Sequence, residues 1–225
     1  MELAGLIREY GEAFEAKYSR RLTPDAGQVV VSCPECGQVE LRPHSCGHRN
    51  CPKCQNHQAT EWLERQQEKL LPCRYYLITF TLPEQLRPCA RRNQEAVYGA
   101  MFEAASGAIM KLARKPRFIG GEPGMTGILH TQTRQLEFHP HLHFIVPGGG
   151  LDRKTNTWRK LRGKFLMPEK MLAELFFGKM LALLKKRKLA VPPNLPEEWV
   201  VDIIHVGSGP EIPRLMVAIS SAGGF

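Results

Sequence analysis

Three imidazoles alternate with apolar side chains in His139-Pro140-His141-Leu142-His143, and the tract continues as Phe144-Ile145-Val146-Pro147-Gly148-Gly149-Gly150. Alternation is the period of a β-strand, so the three histidines share one face while Pro140, Leu142, Phe144 and Val146 share the other. At a rise of ~3.3 Å per residue, neighbouring histidines on that face stand ~6.6 Å apart and the outermost pair ~13 Å apart. Two of them can converge on one ion, and the spacing argues against all three doing so. A third ligand is expected from an adjacent strand. An isolated histidine on a strand is usually a hydrogen-bonding surface residue, but three on one face, in a chain with eight histidines, read as a metal site built on a sheet.

A second cluster has different chemistry. Five of the seven cysteines fall between Cys33 and Cys54, in Cys33-Pro-Glu-Cys36-Gly37, Ser45-Cys46-Gly47-His48 and Cys51-Pro-Lys-Cys54. Two Cys-x-x-Cys knuckles suit tetrahedral zinc, because each supplies two thiolates from a tight turn. Cys33, Cys36, Cys51 and Cys54 are the first choice of ligands. Cys46 can replace one of them, and His44, His48 and His57 are weaker substitutes. A redox dithiol would normally come singly, at a strand-to-helix turn. Without an open position such a zinc site has a folding role, since so short a segment cannot build a core unaided. Cys73 and Cys89 stand apart and are expected to be ordinary buried thiols.

The elements that must position these residues follow from periodicity. Leu6, Tyr10, Phe14 and Tyr18 mark an amphipathic amino-terminal helix, and 57–71 reads as a polar helical stretch joining the zinc module to the rest. Residues 74–82 have strand composition and end at Pro83. Residues 93–114 carry a helical stripe of Val97, Met101, Ala105, Ile109 and Leu112, and two strands follow at 124–133 and 135–146. After a Gly-rich turn and a basic loop containing Trp158, a second helix spans 168–189 and a last strand 199–206. The expected fold is α+β. A helical and zinc-ribbon module over 1–71 precedes a ferredoxin-like β-α-β-β-α-β domain with an antiparallel sheet over 72–225. Both helices would cover one face, and the histidines would look out from the other, a surface that often binds nucleic acid in such sheets.

Composition narrows the partner. The chain has 31 Lys and Arg against 22 Asp and Glu, a formal charge of +9, which favours an anionic partner such as nucleic acid. No secretory signal or membrane-length apolar run is visible, so a soluble cytosolic protein with reduced or metal-bound cysteines is expected, with no membrane partner.

Three blocks together resemble a known family. The Cys33–Cys54 module, the histidine tract running into Val146-Pro147-Gly148-Gly149-Gly150, and Val206-Gly207-Ser208-Gly209 are similar to those of HUH-type rolling-circle transposases of the insertion sequence 91 family. The resemblance implies an HUH endonuclease domain, a bacterial cytoplasmic protein that joins the nucleoid when bound to DNA, and DNA transposition through single-stranded or hairpin transposon ends. It also implies that His141 and His143 hold a divalent catalytic cation, Mg²⁺ or Mn²⁺, with His139 ranked third. Imidazole also suits Zn²⁺, and Glu137, Gln135 and Gln132 are further candidates for the third ligand. In the implied chemistry a tyrosine hydroxyl attacks the scissile phosphate. A 5′-phosphotyrosine forms, which keeps the bond energy for rejoining.

The sequence departs from the family at that tyrosine, which would lie on a helix after the Val-Gly-Ser-Gly block. Tyr10, Tyr18, Tyr75, Tyr76 and Tyr98 all precede His139, and Pro210-Glu-Ile-Pro213 occupies the expected tyrosine segment. The resulting expectation is a domain incomplete at its carboxyl end through deletion, frameshift or truncation. Such a fragment keeps the zinc module, the DNA affinity and the metal site but makes no phosphotyrosine. The alternatives are catalysis through another tyrosine such as Tyr75 or Tyr76, a non-catalytic zinc-dependent DNA-binding module, and a metal-dependent phosphodiester hydrolase using His139, His141 and His143.

Overall fold

Gln28–Ser32 and Val39–Pro43, short valine-containing runs flanking the first cysteine pair, form strands β1 and β2 of an antiparallel hairpin. The computed structural model describes residues 28–43, 61–62, 64–133, 135, 137–209, 212 and 215, which belong to two compact units dividing between Trp62 and Leu63. The expected amino-terminal helix, together with His44, Cys46, His48, Cys51, Cys54 and His57, lies outside the described residues.

The second unit carries the histidines. Arg74–Thr81 (β3) is rich in aromatic and β-branched residues, and it becomes an inner strand of a four-stranded sheet. A short 3₁₀ turn leads into helix α1 (Arg87–Arg92), with Pro88 in its first turn, and then α2 (Gln94–Ala113). Strands β4 (Thr126–Gln132) and β5 (Phe138–Pro147) form a hairpin. Next come a two-stranded ribbon of β6 (Gly149–Asp152) and β7 (Thr157–Lys160), helix α3 (Glu169–Lys186) and strand β8 (Val201–Ser208). The sheet order is β4-β5-β3-β8 with every pairing antiparallel, the order of a ferredoxin-like fold. Two elements differ from the sequence reading: the basic loop is the β6–β7 ribbon, and α1 stands before the first long helix.

Helical period places Val97, Met101, Ala104, Ala108 and Leu112 of α2, and Leu172, Phe176, Met180 and Leu184 of α3, on buried stripes. These stripes close over Ile78 and Phe80 of β3 and Leu142, Phe144 and Val146 of β5. The Phe80 ring stands 4.8 Å from Phe176 and 6.0 Å from Phe144, and Trp199 packs on Phe176 and Phe177 at 5.3 and 5.2 Å. Each such large side chain stabilises the fold by ~1.5–3 kcal/mol through burial. The apolar half of the histidine strand is thereby locked under the helices, and a one-residue slip would bury imidazoles instead.

The histidine face is not bare. Tyr75, His130 and Ile145 are 4%, 4% and 2% exposed although they lie on the side away from the helices. Cys73 and Cys89 are half-buried rather than fully buried, with Cys89 on α1 against the core. No helix among the described residues is long and apolar enough to cross a membrane.

Candidate metal centre

Register decides which imidazoles meet. In the antiparallel pairs His130 of β4 stands opposite His141 of β5, and His143 lies between Ile128 of β4 and Thr79 of β3. Directly opposed residues share a face with Cβ atoms ~4.5–5.5 Å apart, so His130, His141 and His143 form a triangle across two strands. Their ring centroids are 5.0, 4.7 and 4.9 Å apart, and one ring nitrogen from each lies within 4.8 Å of the other two. Three imidazole nitrogens suit a first-row divalent ion at ~2.0–2.2 Å, a span that small ring rotations close. The donor set fits a cation.

Two of the three rings are oriented by polar contacts. His141 Nδ1–H donates to the His139 carbonyl at 2.7 Å, which fixes the tautomer and leaves Nε2 with its lone pair. His143 Nδ1 lies 3.0 Å from Thr79 Oγ1. Burial first, and then the neighbouring His130 and His141, push the His143 pKa down to about 4, which keeps the ring neutral at neutral pH. His139 does not join the triangle. Its ring is 5.4 Å from His141, and its Nδ1 accepts a hydrogen bond from Arg87 Nη2 at 2.7 Å. Burial lowers its pKa most, followed by the Arg87 and His141 charges, against an opposing effect of Glu137.

The third imidazole therefore comes across the hairpin, from His130. The sequence signal for it is parity alone, as His130 alternates with Ile128 and Thr126 on β4. A bulge between His130 and Gln132 pairs Gln132 with Phe138, whose side chain packs toward the core, so Gln132 is turned off the histidine face. Gln135 and Glu137 sit exposed in the connecting turn, where their backbone N–H groups donate to Thr133 Oγ1.

The depressed His143 pKa has a consequence for stability. An unfolded histidine takes its proton near 6.5, whereas the folded chain does so only near 4, so the unfolded state binds more protons between those values. The contribution is complete above about pH 6.5 and lost as pH falls toward 4. Solvent reaches part of the ring, so the loss is on the order of 1–2 kcal/mol rather than the whole shift. Urea midpoints of the metal-free chain at pH 7 and pH 5 should show it, and His143→Asn should flatten that difference.

The described tyrosines stand away from the triangle. Tyr75 pairs with Pro147, four residues along the strand from the Thr79–His143 pair, a displacement of ~13 Å. Its hydroxyl accepts the Leu71 N–H at 2.8 Å. Tyr76 donates to the Lys164 carbonyl at 2.8 Å, and the Tyr98 hydroxyl is buried without a hydrogen-bond partner. Burial raises the pKa of all three phenols, the opposite of what activates a nucleophile.

In the first unit, the knuckle is a turn between β1 and β2. Cys33 N–H donates to Gln38 O, and Gly37 N–H to Cys33 O, both at 2.9 Å. Gly37 has φ +69°, a conformation that side chains disfavour. Backbone hydrogen bonds from Cys36 and then Glu35, with the Cys36 side chain, lower the Cys33 thiol pKa and favour the thiolate that a metal needs.

Comparison with known proteins decides the family. A family described as "Transposase zinc-binding domain" matches residues 8–82, and one described as "Putative transposase" matches residues 124–203. "Putative transposase y4qJ" of Sinorhizobium fredii is 35% identical over 82% of this chain and 50% of its own length. The chain belongs to the insertion sequence 91 family of transposases. The transposase for insertion sequence element IS801 of Pseudomonas savastanoi pv. phaseolicola is 33% identical over 58% of this chain and 30% of its own length. This family member thus spans about half the length, or less, of those curated relatives. Among solved structures, the conjugative relaxase TrwC in complex with mutant oriT DNA superposes with a TM-score of 0.41 at 12% identity, covering 56% of this chain and 48% of that one. The zinc-binding match includes Cys33, Cys36, Cys46, Cys51 and Cys54, and the second match includes His130, His139, His141 and His143.

Proposed function

We propose that this transposase chain binds single-stranded transposon-end DNA, in the bacterial cytoplasm and on the nucleoid, for rolling-circle DNA transposition. Residues 1–71 would form the zinc-binding module, with zinc on Cys33, Cys36, Cys51 and Cys54, and residues 72–225 the HUH nuclease domain. The observation that carries the reading is the convergence of His130, His141 and His143, with His141 fixed by the His139 carbonyl and His143 beside Thr79.

These three imidazoles would hold the divalent cation. When bound, a divalent cation draws charge from the scissile phosphate and stabilises the charge that develops during displacement. Three nitrogen donors suit Mn²⁺ better than Mg²⁺, which prefers oxygen. The Arg87 guanidinium, placed against His139 at the edge of the cluster, adds positive charge for a phosphate. The family's remaining component is the tyrosine nucleophile. Tyr75, Tyr76 and Tyr98 are turned away or buried, Tyr10 and Tyr18 lie outside the described residues, and the sequence after Gly209 contains no tyrosine. DNA binding and phosphate polarisation are the roles assigned to this stretch of sequence, and none of its described tyrosines is placed to form the covalent link.

A single assay tests this. The chain is incubated with a single-stranded DNA hairpin and Mn²⁺, and protein–DNA adducts stable to denaturant are separated on a gel. Binding that weakens steeply with salt and leaves no adduct is the expected result. An adduct lost on His141→Ala would establish full covalent catalysis and overturn the non-covalent reading. Free nicked ends would instead support a hydrolase, and absence of DNA binding would remove the functional reading altogether.

A further inference from the structure

The β6–β7 ribbon lies outside the histidine cluster, and of residues 153–165 Leu161 is the one that packs against the core. From Arg153 to Phe165 the sequence contains Arg153, Lys154, Arg159, Lys160, Arg162 and Lys164 and no carboxylate. All four residues of β7 are exposed, and two aromatic side chains stand in solvent, Trp158 at 39% and Phe165 at 64% exposed. Exposed aromatics normally cost solubility, so an aromatic pair within a basic segment points to a ligand.

The two faces of the ribbon differ. Asp152 and Arg159 share one face and form an ion pair at 2.6 Å, while Glu122 holds Arg153 at 2.9 Å. The other face carries Trp158 and Lys160, with Leu151 opposite Trp158. Among the described residues no carboxylate pairs with Lys160, Arg162 or Lys164. Asp152 and Glu122 brace the ribbon, while Lys160 on the Trp158 face, and Arg162 and Lys164 in the segment that follows, are left for a partner.

Trp158 is also a prepared platform. A Cβ on Gly149 would stand 2.6 Å from its Cζ2 and 2.7 Å from its Cε2, so the indole lies on the bare Cα of glycine and would be displaced by any side chain there. The following segment is tied to the sheet: Leu161 N–H donates to Gly148 O at 2.9 Å, Arg74 Nη1 to Gly163 O at 2.5 Å and Tyr76 Oη to Lys164 O at 2.8 Å. These bonds hold the backbone beside Phe165 without using its ring. Rigid aromatic planes and nearby unpaired cations are what a single strand requires, since unpaired bases expose π-faces and a duplex hides them. Gly149 lies six residues beyond His143, with a bend at Gly148 between β5 and β6, so at most about 20 Å separates them, a distance that a few nucleotides of extended strand cover.

We propose that this ribbon is a single-stranded DNA-binding surface, with bases stacked on Trp158 and Phe165 and phosphates held by Lys160, Arg162 and Lys164. The proposal rests on the reading of the chain as a single-strand-binding transposase, and names the surface that receives the strand flanking the histidine cluster.

The test is fluorescence anisotropy of the full zinc-loaded chain with a labelled oligothymidylate, which has no hairpin of its own. Trp158→Ala and Phe165→Ala should each weaken binding by about five- to a hundredfold, the range for one lost base–aromatic stack. Trp158→Phe should recover most of the loss. Lys160→Ala combined with Arg162→Ala should lower the slope of log affinity against log salt by roughly 1.4. The substituted positions are exposed, and an unchanged melting temperature shows that each variant folds. Tight binding by wild type with no loss in the aromatic variants overturns the ribbon proposal while leaving the DNA reading intact. Failure of wild type to bind overturns both. Equal losses on a duplex, or preferential binding of the ribbon to vesicles of anionic phospholipid, would also overturn it.

Discussion

Replacing His130 by alanine should weaken Mn²⁺ binding at the histidine triangle by about a hundredfold or more, whereas His139→Ala should stay within about threefold. The first substitution removes one of three nitrogens. Loss of a partner that merely orients a metal ligand already costs ~10–100-fold, so loss of a ligand itself is expected to exceed that range. The second removes a ring whose Nδ1 is already engaged by Arg87, and it leaves in place the His139 backbone carbonyl that orients His141. Isothermal titration of the purified chain with Mn²⁺ reads both. Equal losses at His130 and His139, or a larger loss at His139, would reject the triangle in favour of ligands drawn from β5 alone. DNA binding in the absence of metal should survive His130→Ala, because its main source is the basic surface.

Cys33→Ser should bring bound zinc, measured by elemental analysis, from one ion per chain to near zero, while Cys46→Ser should retain it. The hydrogen bonds that lower the Cys33 pKa favour the thiolate that a metal would need, and Gly37 makes the tight turn that follows. The energetic effect is expected to be large, since apparent binding energies for structural zinc in small modules are ~10–16 kcal/mol and double as folding energy. Chelation of wild type should expose the module to proteolysis as the Cys33 substitution does. Zinc retained in Cys33→Ser but lost in Cys46→Ser would redraw the ligand set around Cys46.

Features of this chain are legible in its sequence to the extent that they depend on local period. Alternation in 139–146 places Leu142, Phe144 and Val146 under the helices, because the two faces of an unbulged strand are set by a period of two. The helical stripe through Val97, Met101, Ala105, Ile109 and Leu112 is equally plain, and all five are buried. Short elements are harder to read. The β6–β7 ribbon is only four residues per strand, and its polar composition resembles a loop until Trp158 is seen against Gly149.

The histidine site shows the same division. Spacing along one strand implies that two imidazoles can meet one ion and that a neighbouring strand has to supply the third ligand. It cannot say which residue, because pairing across a hairpin depends on turn length and bulges. One bulge between His130 and Gln132 puts the imidazole on the site face and turns the glutamine off it. The assignment of His139 likewise needs Arg87, which is 52 residues away in sequence and 2.7 Å away in space.

By itself, then, the sequence determined the α+β order, the buried faces and the family blocks, since these follow from local period, spacing and residue chemistry. Tertiary structure alone decided the third imidazole, the exclusion of His139 from the triangle, the orientation of Tyr75 and Tyr76 and the one-sided ribbon of Trp158. Each of these depends on register between strands or contact between distant segments. Such contacts are selected by packing of the whole core, and no local pattern encodes them.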